Sequence, residues 1–166
     1  DVARAVIEGE AEVGLVEGEL DEPVLSRTVL DHDELVLVVA AGHPQAQDGA
    51  ARPDLKAMTW VLREPGSGTR SAFEAALAAH SLSVNDLDVA MSLPGNEAVA
   101  GAVEAGAGAA VVSRNVVAAR LKAGILTTLP FDLPARPFWL LRHKQRYRSK
   151  AGDAFVSLLA SRSPMA

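Results

Sequence analysis

Short apolar runs alternate with stretches of helical spacing between residues 59 and 129, and this alternation limits the folds that the chain can adopt. Because parallel neighbouring strands need a crossover connection, usually a helix, the pattern predicts a mostly parallel sheet with helices on both faces. The sequence therefore indicates the α/β class. The apolar runs lie near 59–63, 87–92, 108–112 and 125–129, and the helical patterns lie near 69–80, 95–105 and 114–122.

Another apolar run, Leu-Val-Leu-Val-Val at 35–39, lies before this alternating region. It is continuous and rich in β-branched residues, which is typical of a strand buried on both faces of its sheet. Helical spacing opens the chain and returns at 151–160. The chain thus begins and ends with elements that enclose the alternating region.

Because these terminal elements enclose a self-contained run, we expect two lobes. Lobe I is predicted to combine residues 1–33 and 134–166, and lobe II to span residues 34–133. The chain then crosses between the lobes twice, near 31–36 and near 131–137. Two lobes with two connections are expected to enclose a cleft.

The composition is that of an ordinary globular protein, and it excludes several kinds of site. With 166 residues, 49% hydrophobic and 22% charged, the chain can bury a core in one compact domain or two small lobes. The absence of cysteine excludes disulfides, thiolate metal ligands and a cysteine nucleophile. A net charge of -5 disfavours nucleic-acid binding by this chain, because neutralising phosphates needs clustered Lys and Arg.

The hydrophobic pattern also disfavours a membrane protein. No apolar run approaches the roughly 20 residues that span a bilayer. The start, DVARAVIEGE, is too acidic and too poor in apolar residues for a signal peptide. We therefore expect no membrane insertion and a cytoplasmic location.

The sequence REPGSGTR, residues 63–70, lies between an apolar run and a helical pattern and predicts a strand-to-helix turn. Its glycines permit a tight turn and a close approach of a ligand to main-chain N–H groups at the start of the helix. Such a turn can bind a small anion, and the candidate ligand-binding residues are Ser67, Gly68, Thr69 and Arg70. A plain turn followed by a capped helix explains the same residues, and both interpretations stay open here.

A second loop that opens a helix contains Asn96, which either caps that helix or reaches the cleft. A nucleotide site is disfavoured, because the turn lacks the Lys-Ser/Thr of a P-loop and the third glycine of a dinucleotide fingerprint. The four histidines are scattered, and no nucleophile elbow occurs. The acidic stretch 31–34 is better explained as a polar crossover than as a metal site. We predict no catalytic residue, no metal and no cofactor.

Five segments carry a more specific signal through their order and spacing. They are VARAVIEGEAEVGLVEG, LVLVVAAGHP, WVLREPGSGTR, NEAVAGAVEAGAGAAVVSR and RSKAGDAFVSLL, which together cover nearly the whole chain. This set resembles the effector-binding (substrate-binding) domain of LysR-type transcriptional regulators. The REPGSGTR form is most similar to the branch of these regulators that senses sulfur or carbon metabolites.

This resemblance implies a two-lobed, periplasmic-binding-protein-like (type II) fold. An enzyme is disfavoured because the sequence lacks a set of nucleophile, base and metal ligands. The resemblance implies a small anionic metabolite as effector, held in the cleft by a loop that corresponds to Ser67, Gly68, Thr69 and Arg70. Members of the family contact DNA through a separate N-terminal helix-turn-helix and assemble as homodimers or homotetramers.

The chain departs from the family pattern at its start. It contains neither the helix-turn-helix nor the first strand, helix and strand of the first lobe, so we expect lobe I to be incomplete. A solute-binding protein of a transporter, which shares the two-lobed plan, is the alternative interpretation.

Overall fold

The computed structural model describes residues 2–17, 20–47 and 52–161, and residues 1, 18, 19, 48–51 and 162–166 lie outside the described residues. The chain divides into two compact units. Unit 1 combines Asp1–Asp33 and Arg136–Ala166, and unit 2 is Glu34–Ala135. None of the described helices combines the length and the apolar character needed to cross a membrane.

The described residues form eight strands, six helices and two short 3₁₀ turns. The strands are β1 (Gly14–Glu17), β2 (Leu25–Asp33), β3 (Leu35–Ala40), β4 (Thr59–Arg63), β5 (Asp88–Leu93), β6 (Ala110–Ser113), β7 (Leu126–Leu129) and β8 (Arg136–His143). The helices are α1 (Val2–Glu8), α2 (Pro44–Gln47), α3 (Gly68–Ala79), α4 (Asn96–Glu104), α5 (Arg114–Lys122) and α6 (Lys150–Ala160), and the 3₁₀ turns are Leu55–Ala57 and Val84–Asp86.

Unit 1 is built on an antiparallel sheet of strand order β1-β8-β2. Its apolar cluster is small, with four buried members contributed by α1, β2 and β8: Ala3, Val6, Leu25 and Leu141. Helix α6 is amphipathic, yet Phe155 and Leu158 on this helix are about half exposed. Burial of apolar surface is therefore limited in the described part of this unit.

Unit 2 has a larger core, organised around β3. Alternate residues of this strand enter two different clusters: Leu35, Leu37 and Val39 face one, and Val36 and Val38 face the other. Helix α3 packs into the first cluster, and helices α4 and α5 pack into the second. Strand β3 is therefore buried on both faces, as its continuous apolar run predicts.

The sheet of unit 2 is mixed. Strand β3 lies between β6 and β7 and runs antiparallel to both, whereas β4 and β5 are parallel. A parallel bridge between Trp60 and Ala109 links β4 to the chain just before β6. With helices on both faces of this sheet, the α/β class is confirmed.

The expectation that the pairing is mostly parallel needs correction, since β3 in unit 2 and β8 in unit 1 pair antiparallel with both neighbours. The segment β6–α5–β7 is a crossover whose two strands run in the same direction, but β3 is inserted between them in the opposite direction. An apolar pattern gives burial and not strand direction, and direction here depends on partners distant in sequence.

Candidate functional site

The REPGSGTR turn joins the end of β4 to the start of α3, as the sequence predicts. The main-chain N–H of Ser67 donates to the carbonyl of Glu64 at 3.2 Å, which closes the turn. Gly66 has a φ of 88°, in the left-handed region that favours glycine. A Cβ at Gly66 would meet no atom within 4 Å, so glycine is favoured here by the backbone conformation and not by close packing.

Ser67 is the N-cap residue of α3, but its side chain makes no capping hydrogen bond. Ser67 is 7% exposed and Thr69 is 2% exposed, so both hydroxyl-bearing residues are buried at the helix start. Gly66 and Gly68, on either side of Ser67, are exposed. The first turn of α3 contains no acidic residue. This geometry leaves positive helix-end potential beside a buried hydroxyl, which is the chemistry of an anion site.

Arg70 lies on the first turn of α3 and is already engaged by the protein. Its Nε donates to Glu74 Oε1 at 2.8 Å, and its Nη1 donates to the carbonyl of Arg63 at 3.2 Å. The side chain is 18% exposed. Arg70 therefore connects the start of α3 to the end of β4. The carboxylate of Glu74 balances part of its positive charge.

A second cluster beside the turn involves Arg63 and Glu64. Arg63 Nε and Nη2 donate to the two carboxylate oxygens of Glu64 at 2.7 and 2.8 Å, a bidentate pair. These bonds, together with main-chain N–H donors that include Gly95, lower the pKa of Glu64 to about 2. Glu64 is therefore an anion across the physiological pH range, and Arg63 balances its charge.

Asn96 is the first residue of α4, and the N-cap of that helix is Gly95, with a φ of 83°. The side-chain oxygen of Asn96 accepts a hydrogen bond from Arg63 Nη1 at 2.5 Å. Asn96 therefore does not cap α4, and its side chain is hydrogen-bonded to the residue that ends β4, next to the turn. Arg63 links the starts of α3 and α4, and the sequence pattern carries no signal for this link.

The acidic stretch 31–34 does not assemble into one site. Asp33 is buried and pairs with Arg136, while Glu34 pairs with Arg114 at 2.6 Å. Among the described residues no group of three or more carboxylate or imidazole side chains is arranged to hold a metal ion.

A groove of about 920 Å³ also lies in unit 2, lined by β3, the Leu55–Ala57 turn and residues 128–132. Residues 66–70 are not among its lining residues. Size alone would favour the groove, and Arg114 at the start of α5 is among its lining residues. The start of α3 differs because glycines flank its N-cap and its first turn contains a second buried hydroxyl, that of Thr69. We therefore place the candidate site at the turn, on the basis of its chemistry.

Comparison with family models identifies one family. The family model "LysR substrate binding domain" matches residues 1–164. The HTH-type transcriptional regulator YeiE of Escherichia coli (strain K12), itself uncharacterized, is 33% identical over 158 residues, which are 94% of this chain and 53% of that protein. The chain spans about half the length of the curated relatives that it matches.

Solved structures show the same fold. The CcmR regulatory domain of Synechocystis PCC6803, in complex with 2-PG, has a TM-score of 0.82 at 24% identity. The match covers 96% of this chain and 77% of the CcmR domain. The effector-binding domain of QuiR, in complex with shikimate, has a TM-score of 0.76 at 20% identity, with coverages of 96% and 75%. The predicted periplasmic-binding-protein-like (type II) fold is confirmed.

Proposed function

Since this chain belongs to the LysR substrate binding domain family, we propose that it is the effector-sensing part of a DNA-binding transcriptional regulator. Relatives that include the HTH-type regulator YeiE and a probable RuBisCO transcriptional regulator of Trichormus variabilis favour this function over the solute-binding alternative. Contact with DNA is assigned to a separate N-terminal helix-turn-helix. This assignment fits the acidic character of the chain.

The effector we propose is a small anionic metabolite bound at the start of α3. One observation carries this proposal: Ser67 is buried at the N-cap position, and its hydroxyl does not cap the helix. Main-chain N–H groups of Gly68 and Thr69, with the two hydroxyls, form the proposed donor set. Arg70 and Asn96 complete the site as residues that hold the turn, through Arg63.

The two compact units are proposed to be the two lobes. Effector binding would then favour one arrangement of the lobes and, in a homodimer or homotetramer, of the subunits. Moving such an equilibrium from 1:99 to 99:1 requires about 5.5 kcal/mol of differential affinity. A weakly bound metabolite therefore tilts the equilibrium only partway. The regulator is proposed to act in the cytoplasm and to catalyse no reaction.

Calorimetric titration of candidate anions into the intact protein tests the site. Each hydrogen bond to a charged ligand contributes about 1.5–3 kcal/mol, so Ser67→Ala and Thr69→Val are each expected to weaken anion binding roughly tenfold or more. Ser71→Ala is the matched control, because Ser71 is exposed and lies on the same helix, and it should leave the affinity unchanged. Unchanged affinity in the Ser67 and Thr69 variants would show that the site is elsewhere.

A further inference from the structure

Arg63, the last residue of β4, makes hydrogen bonds to several elements around the turn. Its guanidinium holds both oxygens of Glu64 and the side-chain oxygen of Asn96. Its carbonyl accepts from Arg70 Nη1 at 3.2 Å and from Ser92 Oγ at 3.0 Å. One residue therefore joins β4 to α3, to β5 and to the start of α4.

The position of Glu64 raises an electrostatic difficulty for an anion site. It lies three residues before the N-cap Ser67, and its carbonyl closes the same turn. A carboxylate beside a site for a small anion repels that anion and reduces affinity unless a cation balances it. Arg63 supplies that cation in a bidentate pair, and its side chain is only 15% exposed.

We propose that Arg63 is a positioning residue of the anion site, which neutralises Glu64 and holds its carboxylate so that the start of α3 remains attractive to an anion. This inference rests on the proposed function of the turn. It assigns Arg63 no direct contact with the effector. Arg63 acts through Glu64, and through Asn96 it sets the start of α4 against the same turn.

The proposal predicts a distinctive pH profile. The charged side chains at the starts of the two neighbouring helices are Arg70, which pairs with Glu74 on α3, and Glu97 on α4, which pairs with Arg120 at 3.1 Å. These groups are present with and without Arg63, so a difference between variants isolates Glu64. Without Arg63, the first cause of its low pKa is lost, and the pKa of Glu64 should rise from about 2 towards its usual value of 4.5.

The test measures the affinity of the intact protein for inorganic sulfate between pH 4 and pH 7, where sulfate keeps its charge. Arg63→Met should weaken sulfate binding about tenfold at pH 7, because it leaves a carboxylate uncompensated beside the site. The loss should shrink towards pH 4, because Glu64 becomes protonated in the variant. The double variant Arg63→Met/Glu64→Gln should recover affinity to within about twofold at pH 7.

The control is another ion pair at a helix start of unit 2, Glu34 with Arg114 at 2.6 Å. Arg114→Met should leave sulfate affinity unchanged, which excludes a general effect of removing one arginine from this acidic chain. Thermal unfolding of each variant confirms that it folds.

The outcomes separate the two proposals. Rescue by the double variant, together with the recovery at low pH, supports the role of Arg63. If the double variant binds as weakly as Arg63→Met at every pH, Arg63 has only a structural role and the inference is wrong. The proposed function survives that result as long as Ser67→Ala still weakens sulfate binding. If Ser67→Ala and Thr69→Val do not weaken it, the proposed site and the inference fail together.

Discussion

The two units of this chain are stabilised by different means. In unit 2, the strand β3 is buried on both faces, and two apolar clusters with fully buried members such as Trp60 and Val99 pack around it. In unit 1, the apolar cluster has four buried residues among those described, and buried arginines contribute instead. Arg136 contacts Glu17 and Asp33, and Arg142 contacts Glu12 and Asp153.

This difference bears on where a ligand can bind. The buried charges of unit 1 are largely committed to partners within the unit, because a charge that is buried without a partner is costly. Because unit 2 has a larger apolar core, its stability depends less on its buried polar groups. The hydroxyl of Ser67 makes no capping hydrogen bond, which is consistent with its proposed role in binding a ligand.

The largest effect is expected from truncating the tryptophan in the core of unit 2. Trp60 is 0% exposed, stacks on Phe73 at a centroid distance of 4.7 Å and donates from Nε1 to the Leu55 carbonyl at 2.9 Å. Trp60→Ala should reduce the stability of unit 2 by about 3–5 kcal/mol. Hydrogen exchange, read separately for the amides of each unit, measures this loss.

Replacing the chain's other tryptophan, Trp139, with alanine makes the same chemical change in unit 1. It is only partly buried, its Nε1 has no hydrogen-bond partner among the described residues, and Arg27 lies 5.2 Å from its ring centroid. Trp139→Ala should therefore cost clearly less than Trp60→Ala. Equal losses would contradict the contrast between the two units.

The next effect concerns the ion pairs of unit 1. Asp33 is 1% exposed and lies against Arg136, so Arg136→Met removes the guanidinium that pairs with this buried carboxylate. We expect unit 1 to lose about 3 kcal/mol. The double variant Arg136→Met/Asp33→Asn should lose less, since it removes the buried negative charge together with the arginine. Chemical denaturation followed by hydrogen exchange measures both, and equal losses in the two variants would show that the charge is not the cause.

The sequence predicts the elements of unit 2 better than those of unit 1, because unit 2 is stabilised mainly by apolar burial. Strands β3 and β4 and helix α5 follow from their apolar patterns, because burial in an apolar core leaves a pattern in the sequence. Strand β2 does not: the sequence predicts only a crossover between lobes near 31–36, which overlaps the end of this strand. Its two fully buried residues are Leu25 and Asp33, and a buried charge gives no hydrophobic signal.

The candidate site was predictable in part. Glycines before a helical pattern indicate the turn that holds Ser67, Gly68 and Thr69. The link from Arg63 to Asn96 joins residues 33 positions apart and depends on the parallel register that sets Arg63 opposite Leu93. No local pattern encodes that register, so Arg63 could be found only from the structure.

A smaller effect, dependent on pH, is expected in unit 1. The side-chain hydroxyl and then the main-chain N–H of Ser149 donate to Glu12 and lower its pKa below 4.5. Because the folded pKa is the lower one, Glu12 stabilises the fold above pH 4.5, and this contribution is lost as the pH falls through the folded pKa.

Glu12→Gln should therefore be less stable than the unmodified chain at pH 7, with the gap narrowing below pH 4.5. Thermal unfolding across this range measures the gap. Glu10→Gln, at a neighbouring exposed position, is the control. A gap that stays constant with pH would show that the ionisation of Glu12 does not contribute.

The location of a bound anion tests the central claim most directly. Anomalous diffraction from crystals of the intact protein soaked in bromide reveals each ordered anion by its position. We predict a bromide in contact with the main-chain N–H groups of Gly68 and Thr69 and with the hydroxyl of Ser67. Ordered bromide elsewhere, with the start of α3 empty and open to solvent, would contradict the account.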